Sequence, residues 1–133
     1  MAALGQATAE SAERMREVTT LEDYVGRYLA ADHRDRRGEG CVMAALAAEI
    51  PRQAAPVRHG FTATVRAMMA RIARLVADRR APEDEALAIM ATMVGALMLA
   101  RAVDEPDLSD RILDAARVRL APSGGPSGAE KGT

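Results

Sequence analysis

The sequence predicts an all-α fold, a helical bundle of five to six helices, and three observations carry that expectation. Apolar residues recur at helical spacing along most of the 133 residues, and no stretch alternates as a half-buried strand would. The composition is rich in alanine with eight methionines and only 2% aromatic residues, which favours helix over the β-branched clusters of a sheet. Ala86 to Ala100 reads ALAIMATMVGALMLA, uncharged throughout, with Thr92 as its one hydrogen-bonding side chain. A helix apolar on all sides must be covered on all sides.

Taken in order, residues 1–20 are a polar, alanine-rich lead-in with a thin helix expected over about 8–18. Thr19 and Thr20 then offer N-caps, with Glu22 and Asp23 at capping-box spacing. Leu21, Tyr24, Val25, Tyr28 and Leu29 follow the one-sided helical pattern. Ala31–Gly40 reads as a charged loop, and helical spacing resumes over Cys41–Ile50 until Pro51. A long helix is expected over about 56–79, with Val57, Phe61, Val65, Met68, Ile72 and Leu75 on its large side. Its opposite side is small: Ala63, Ala67, Ala70, Ala73 and Ala77, with Arg66 and Arg74 among them.

The next helix, about 83–103, starts with Glu83, Asp84 and Glu85 and closes on Arg101, a charge order that suits the helix dipole. Pro82 stands where a first-turn proline is tolerated. This helix repeats the two-sided design. Ala86, Met90, Met93, Val94 and Leu97 make a large side; Ala88, Ala91, Gly95 and Ala102, with Thr92 and Leu99, make a small one. Joined through Arg80-Ala81-Pro82, the two helices read as a long antiparallel hairpin. The uncharged run is shorter than the ~18 residues of a membrane span, so protein rather than lipid is expected to cover it. The small side marks a helix–helix contact, with a second copy of the chain as the expected partner, although a wholly internal role for both sides fits the same spacing. A last helix, about 107–120, is expected to pack Leu108, Ile112, Ala115, Ala116 and Leu120, before a disordered tail over 121–133.

The chemistry-bearing residues are few. Formal net charge is −1, without the basic excess of a nucleic-acid surface, and one cysteine excludes an internal disulfide and fits a reducing cytosol. No secretory signal pattern opens the chain, so a cytoplasmic location is expected. His33-Arg34-Asp35 matches a kinase catalytic-loop tripeptide, but the glycine-rich loop, strand lysine and Asp-Phe-Gly that must accompany it are missing. It reads instead as a polar connection that fixes two helices. His33, His59 and Cys41 lack paired metal-ligand spacing, the acids at helix starts are dipole and capping residues, and neither an enzyme, a metal nor a cofactor is expected. Tyr24, Tyr28, Cys41, Phe61, Met68 and Ile72 place aromatic, thiol and thioether surface on three helices able to face one another, as a pocket between bundle helices requires. Spacing leaves pocket and plain core both open.

Tyr28–Arg52 (YLAADHRDRRGEGCVMAALAAEIPR), Val57–Phe61 (VRHGF) and Met93–Arg117 (MVGALMLARAVDEPDLSDRILDAAR) carry a recognisable ordered set. The set, HRD, GC, AALAAE, MVGALMLARAV and LSDRIL, resembles the C-terminal domain of TetR/AcrR-type bacterial transcriptional regulators over about Leu21–Leu120. The resemblance implies an effector-binding and dimerisation domain whose long helix pair, here about 56–79 and 83–103, forms a dimeric four-helix bundle. Ala63, Ala67, Ala70, Ala88, Ala91, Gly95, Leu99 and Ala102 would then line the homodimer interface. Tyr24, Tyr28, Cys41, Phe61, Met68 and Ile72 would hold a small apolar or amphiphilic effector. Such regulators carry a helix-turn-helix head that reads DNA in the major groove, and the residues before Leu21 contain no such unit. DNA binding is therefore expected only through a head supplied outside this chain. The alternative is a headless interaction protein that heterodimerises with full-length regulators and blocks their DNA binding.

Overall fold

The computed structural model describes residues 18–35 and 49–121. Thr20 opens α1 (Leu21–Tyr28): its backbone is extended and its hydroxyl accepts from the Asp23 N–H at 3.1 Å, satisfying one orphan donor of the first turn. A five-residue helix, α2 (Ala31–Asp35), follows after a two-residue bend. A 3₁₀ turn over Ile50–Arg52 leads to α3 (Ala55–Leu75), α4 (Pro82–Ala102) and α5 (Pro106–Leu120). The described residues contain no strand, so the all-α class holds.

The bundle is assembled on α4. Ala86, Ile89, Met90, Met93, Ala96, Leu97 and Ala100 of that helix are buried. They join Met68, Ile72 and Val76 from the α3 side, Leu113 and Ala116 of α5, and Leu21, Tyr24, Val25, Tyr28 and Leu29 of the α1 segment in one apolar cluster. α3 and α5 both pack along α4, and α1 touches α5. Burying each large aliphatic side chain is worth about 1.5–3 kcal/mol, so this cluster supplies the main cohesion. By length and composition alone α4 would cross a membrane, with a mean hydropathy of 1.5 over its most apolar window. Its inner face is instead built into the protein interior.

The long hairpin is present, with α3 shorter than the expected helix to 79. Val76 is buried and its N–H closes on the Ile72 and Ala73 carbonyls, which ends the helix and turns the chain towards α4. Ala81 then takes a left-handed conformation, φ 53 and ψ 62, directly before Pro82. Arg79 Nη1 reaches Glu85 Oε2 at 3.0 Å across this corner.

Two other expectations are corrected and a third is refined. Ala31–Asp35 is helical rather than part of a charged loop; none of its five residues is buried, so it lacks the apolar period by which a helix is read. At the end of the expected Cys41–Ile50 helix, Ile50 belongs with Pro51 and Arg52 to a 3₁₀ turn, where the missing proline N–H costs nothing at a first-turn position. On α5 the inward residues are Ser109, Leu113 and Ala116, while Leu108 and Ala115 face water, because the helix is rotated to bring Ser109 against the end of α4. The lead-in helix expected over about 8–18 lies outside the described residues except for Val18, which is non-helical and packs on the core. The expected helix Cys41–Ile50 is described only at Glu49 and Ile50. The expected tail is described only at Ala121, which is buried and closes α5.

A non-glycine residue in the left-handed region carries about 1–2 kcal/mol of steric cost. Ala81→Gly removes that cost and partly returns it as unfolded-chain entropy, for an expected net gain of about 0.5–1 kcal/mol. The urea midpoint of the variant against the parent checks this; an unchanged or lower midpoint would mean the turn is not strained.

Candidate functional site

Three groups of residues are set out by these helices. The first is interior. Tyr24 and Tyr28 stand four apart on α1, Met68 and Ile72 four apart on α3, and all four are buried in the same apolar cluster as Met93 and Leu97. Phe61 is half-buried and packs against that cluster. Cys41 lies outside the described residues. Five of the six expected effector residues thus belong to, or pack on, one apolar cluster that also contains the inner face of α4.

The second group is exterior. Ala63, Ala67 and Ala70 of α3 and Ala88, Ala91, Leu99 and Ala102 of α4 face water, with Gly95 half-buried. Leu99 is 58% exposed and Leu87, beside the same face, 42%. A Cβ built on Gly95 would meet nothing within 4 Å. Nothing among the described residues therefore requires glycine there, although glycine in mid-helix costs about 1 kcal/mol relative to alanine.

The third group is polar and knots α2 to the α4–α5 corner. Arg34 Nη1 donates to Ser109 Oγ at 2.8 Å and to Asp110 Oδ1 at 2.7 Å, while Arg34 Nε reaches Asp35 at 3.0 Å. Hydrogen bonds to Asp35 first and Asp110 second raise the Arg34 pKa further above its ordinary value, so this guanidinium is always charged. Arg101 donates from Nε to the Arg34 carbonyl and from Nη2 to the His33 carbonyl, both at 3.0 Å. A cation on the last carbonyls of a helix satisfies orphan acceptors and suits the dipole.

Ser109 is buried, and its hydroxyl donates to the Ala100 carbonyl at 2.6 Å. That carbonyl belongs to the last turn of α4, where intrahelical partners run out. His33 Nδ1 donates to the Tyr28 carbonyl at 2.6 Å, and its ring stands edge-on to the Tyr28 ring at 4.7 Å. An open depression of about 270 Å³ lies beside this knot, lined among others by Arg34, Arg101, Asp104 and Ser109.

The sequence family described as tetracyclin repressor-like, C-terminal domain, matches residues 18–116. The chain belongs to that family. No curated protein matches it. The matched span of this TetR-like domain runs from the entry to α1 into the last turns of α5, so all three groups fall within it.

The tripeptide His33-Arg34-Asp35 does fix a helix connection, and it does so through partners that spacing does not reveal. Ser109 and Asp110 lie 75 and 76 residues further along the chain. Their only trace in the sequence is that a serine occupies the inward face of an amphipathic helix. Ser109→Ala leaves the Ala100 carbonyl buried without its donor and removes one acceptor of Arg34. It is expected to destabilise the TetR-like domain by about 1–3 kcal/mol, read as a lowered urea midpoint with an unchanged slope. A loss below about 0.5 kcal/mol would mean that water replaces the hydroxyl freely.

Proposed function

We propose that this chain is the ligand-sensing and dimerisation domain of a TetR-type transcriptional regulator, acting as a homodimer and binding a small apolar or amphiphilic effector in each subunit. The observation that carries the reading is the outward face of α4. Only 39% of the most apolar window of that helix is buried within the chain, and Leu87, Ala88, Ala91, Thr92, Leu99 and Ala102 lie open on the other side. An uncharged strip of this kind is unfavourable in water, and the open space at Gly95 suits a second backbone at close approach.

The flank of that contact is better supplied by α5 than by α3. The other two exposed large apolar side chains among the described residues, Leu108 and Val118, are both on α5. α3 offers only the methyl groups of Ala63, Ala67 and Ala70. It also carries Arg58, Arg66, Arg71 and Arg74 with no carboxylate on the same helix, so two copies meeting there would repel. A dimer layer of α4 with α5 therefore replaces the α3–α4 pair as the favoured arrangement.

The sensing half rests on the interior cluster of Tyr24, Tyr28, Phe61, Met68 and Ile72, with Cys41 as a further candidate. Two tyrosines give an otherwise apolar interior its polar handles, the pattern of small-molecule sites between bundle helices. An effector that binds one arrangement of the subunits better than another shifts their equilibrium by that difference in affinity. DNA heads attached to the two subunits would feel the shift as a change in operator affinity, with repression relieved on binding as the expected sense.

Light scattering after gel filtration tests the dimer: the parent is expected at twice 14.1 kDa. Gly95→Leu and Val118→Asp are expected to lower the mass to one subunit with helical circular dichroism retained, and Ala67→Glu to remain dimeric. A monomeric parent removes the dimer reading, and dissociation by Ala67→Glu alone restores α3 as the flank. For sensing, long-chain amphiphiles are expected to raise Tm in proportion to the logarithm of their concentration. If none of a panel spanning fatty acids, quaternary amines and steroid-like molecules does so, the sensing role fails.

A further inference from the structure

We propose that Ala30–Asp35 is a polar-latched lid that leaves the α4–α5 corner as a unit, without unfolding the core, and so opens the Tyr28 end of the interior to an entering effector. The purpose assigned to the lid rests on the sensing role proposed above; its mechanics do not. α2 differs from every other α-helix described in having no buried residue, whereas Leu29 just before it is 3% exposed and anchored in the core. The bonds between α2 and its described surroundings are directional and polar, among them Arg34 on Ser109 and Asp110, Arg101 on the carbonyls of His33 and Arg34, and His33 on the carbonyl of Tyr28.

These bonds lie at the edge of water. The Asp110 side chain is 62% exposed and the Arg34 side chain 17%, so water and salt can take over both ends of the pair as it parts. The neighbouring depression of about 270 Å³ brings solvent up to Arg34 and Arg101. When α2 lifts, the apolar cluster keeps all its members, because α2 contributes none. The His33 ring leaves the edge of Tyr28, so the first surface uncovered is a tyrosine of the candidate effector group.

Segments held by few apolar contacts and exposed hydrogen bonds open well below the global unfolding free energy. Hydrogen exchange on the intact chain, followed by mass spectrometry, tests this. In the parent, amides of 30–35 are expected to exchange at least about tenfold faster than those of the α4 core, and about tenfold faster again in Arg34→Met and in Asp110→Asn, with α4 and α5 unchanged. The chain has two tyrosines and no tryptophan, so its emission reports Tyr24 and Tyr28 alone; quenching by acrylamide is expected to rise in both variants and in the parent at high salt. Equal exchange rates for 30–35 and the α4 core in the parent, or loss of α4 protection together with that of α2 in Asp110→Asn, would overturn the lid. Should exchange and quenching behave as expected while 1-anilinonaphthalene-8-sulfonate fails to bind parent or variants, the lid stands and the sensing role is what fails.

Discussion

The rest of the structure depends on one constraint: a 21-residue helix with almost no polar side chain between its charged ends must be kept out of water on every side. The chain meets half of that demand itself. α3, α5 and the α1 segment supply side chains to the cluster around its inner face, and α3 and α5 pack along it. What they leave open is a strip of alanine, glycine, threonine and leucine. Small residues present the least apolar surface to water on a face that the chain leaves uncovered. The inward side of the same helix is filled with methionine and leucine, which gain most from permanent burial.

The molecule is held by two kinds of force in two places. Around Met93 and Leu97 the cohesion is apolar and cooperative, and loss of any one helix would expose the others. At the α4–α5 corner it is a set of directional bonds from two guanidinium groups and one buried hydroxyl. Those bonds are made to places that need them: the last carbonyls of α2, and the Ala100 carbonyl in the final turn of α4. The corner therefore completes the helix ends rather than adding to the core. Such bonds can be exchanged for water one at a time, which apolar packing cannot.

What could be read from the sequence follows the same division. The long hairpin, the large side of α4 and the inward positions of α1 were legible because burial imposes a period, and the period survives in the order of residues. Tyr24, Tyr28, Met68 and Ile72 were readable as one interior group for that reason. α2 was not legible as a helix, since a helix that buries nothing carries no period, and its charges resemble those of a loop. The placing of Leu108 was missed because the pattern of α5 admits two neighbouring faces. The choice between them is made by Ser109, a polar residue whose partner is a main-chain carbonyl on another helix. The early end of α3 was hidden too, because Val76 looks like one more apolar helix position until the turn is seen to bury it. Across all of these, apolar periodicity reports how a helix is rotated only where apolar residues decide the rotation.

The position of α4 gives the proposed sensing role its physical route. Its inner face shares a cluster with Tyr24 and Tyr28, its outer face is the exposed strip on which the proposed dimer rests, and its last turn enters the polar corner through Ala100 and Arg101. A rigid helix cannot yield at one of these places alone, because close-packed interiors respond to displacement by shifting whole elements. On the proposed role, a molecule accommodated beside the tyrosines would displace members of the cluster that contains Met93 and Leu97, and the outward strip would move with the helix. The corner, whose bonds are exchangeable, is where such a movement meets least resistance. Coupling between an interior site and an exterior contact then requires no special pathway, only a helix that forms a wall of both.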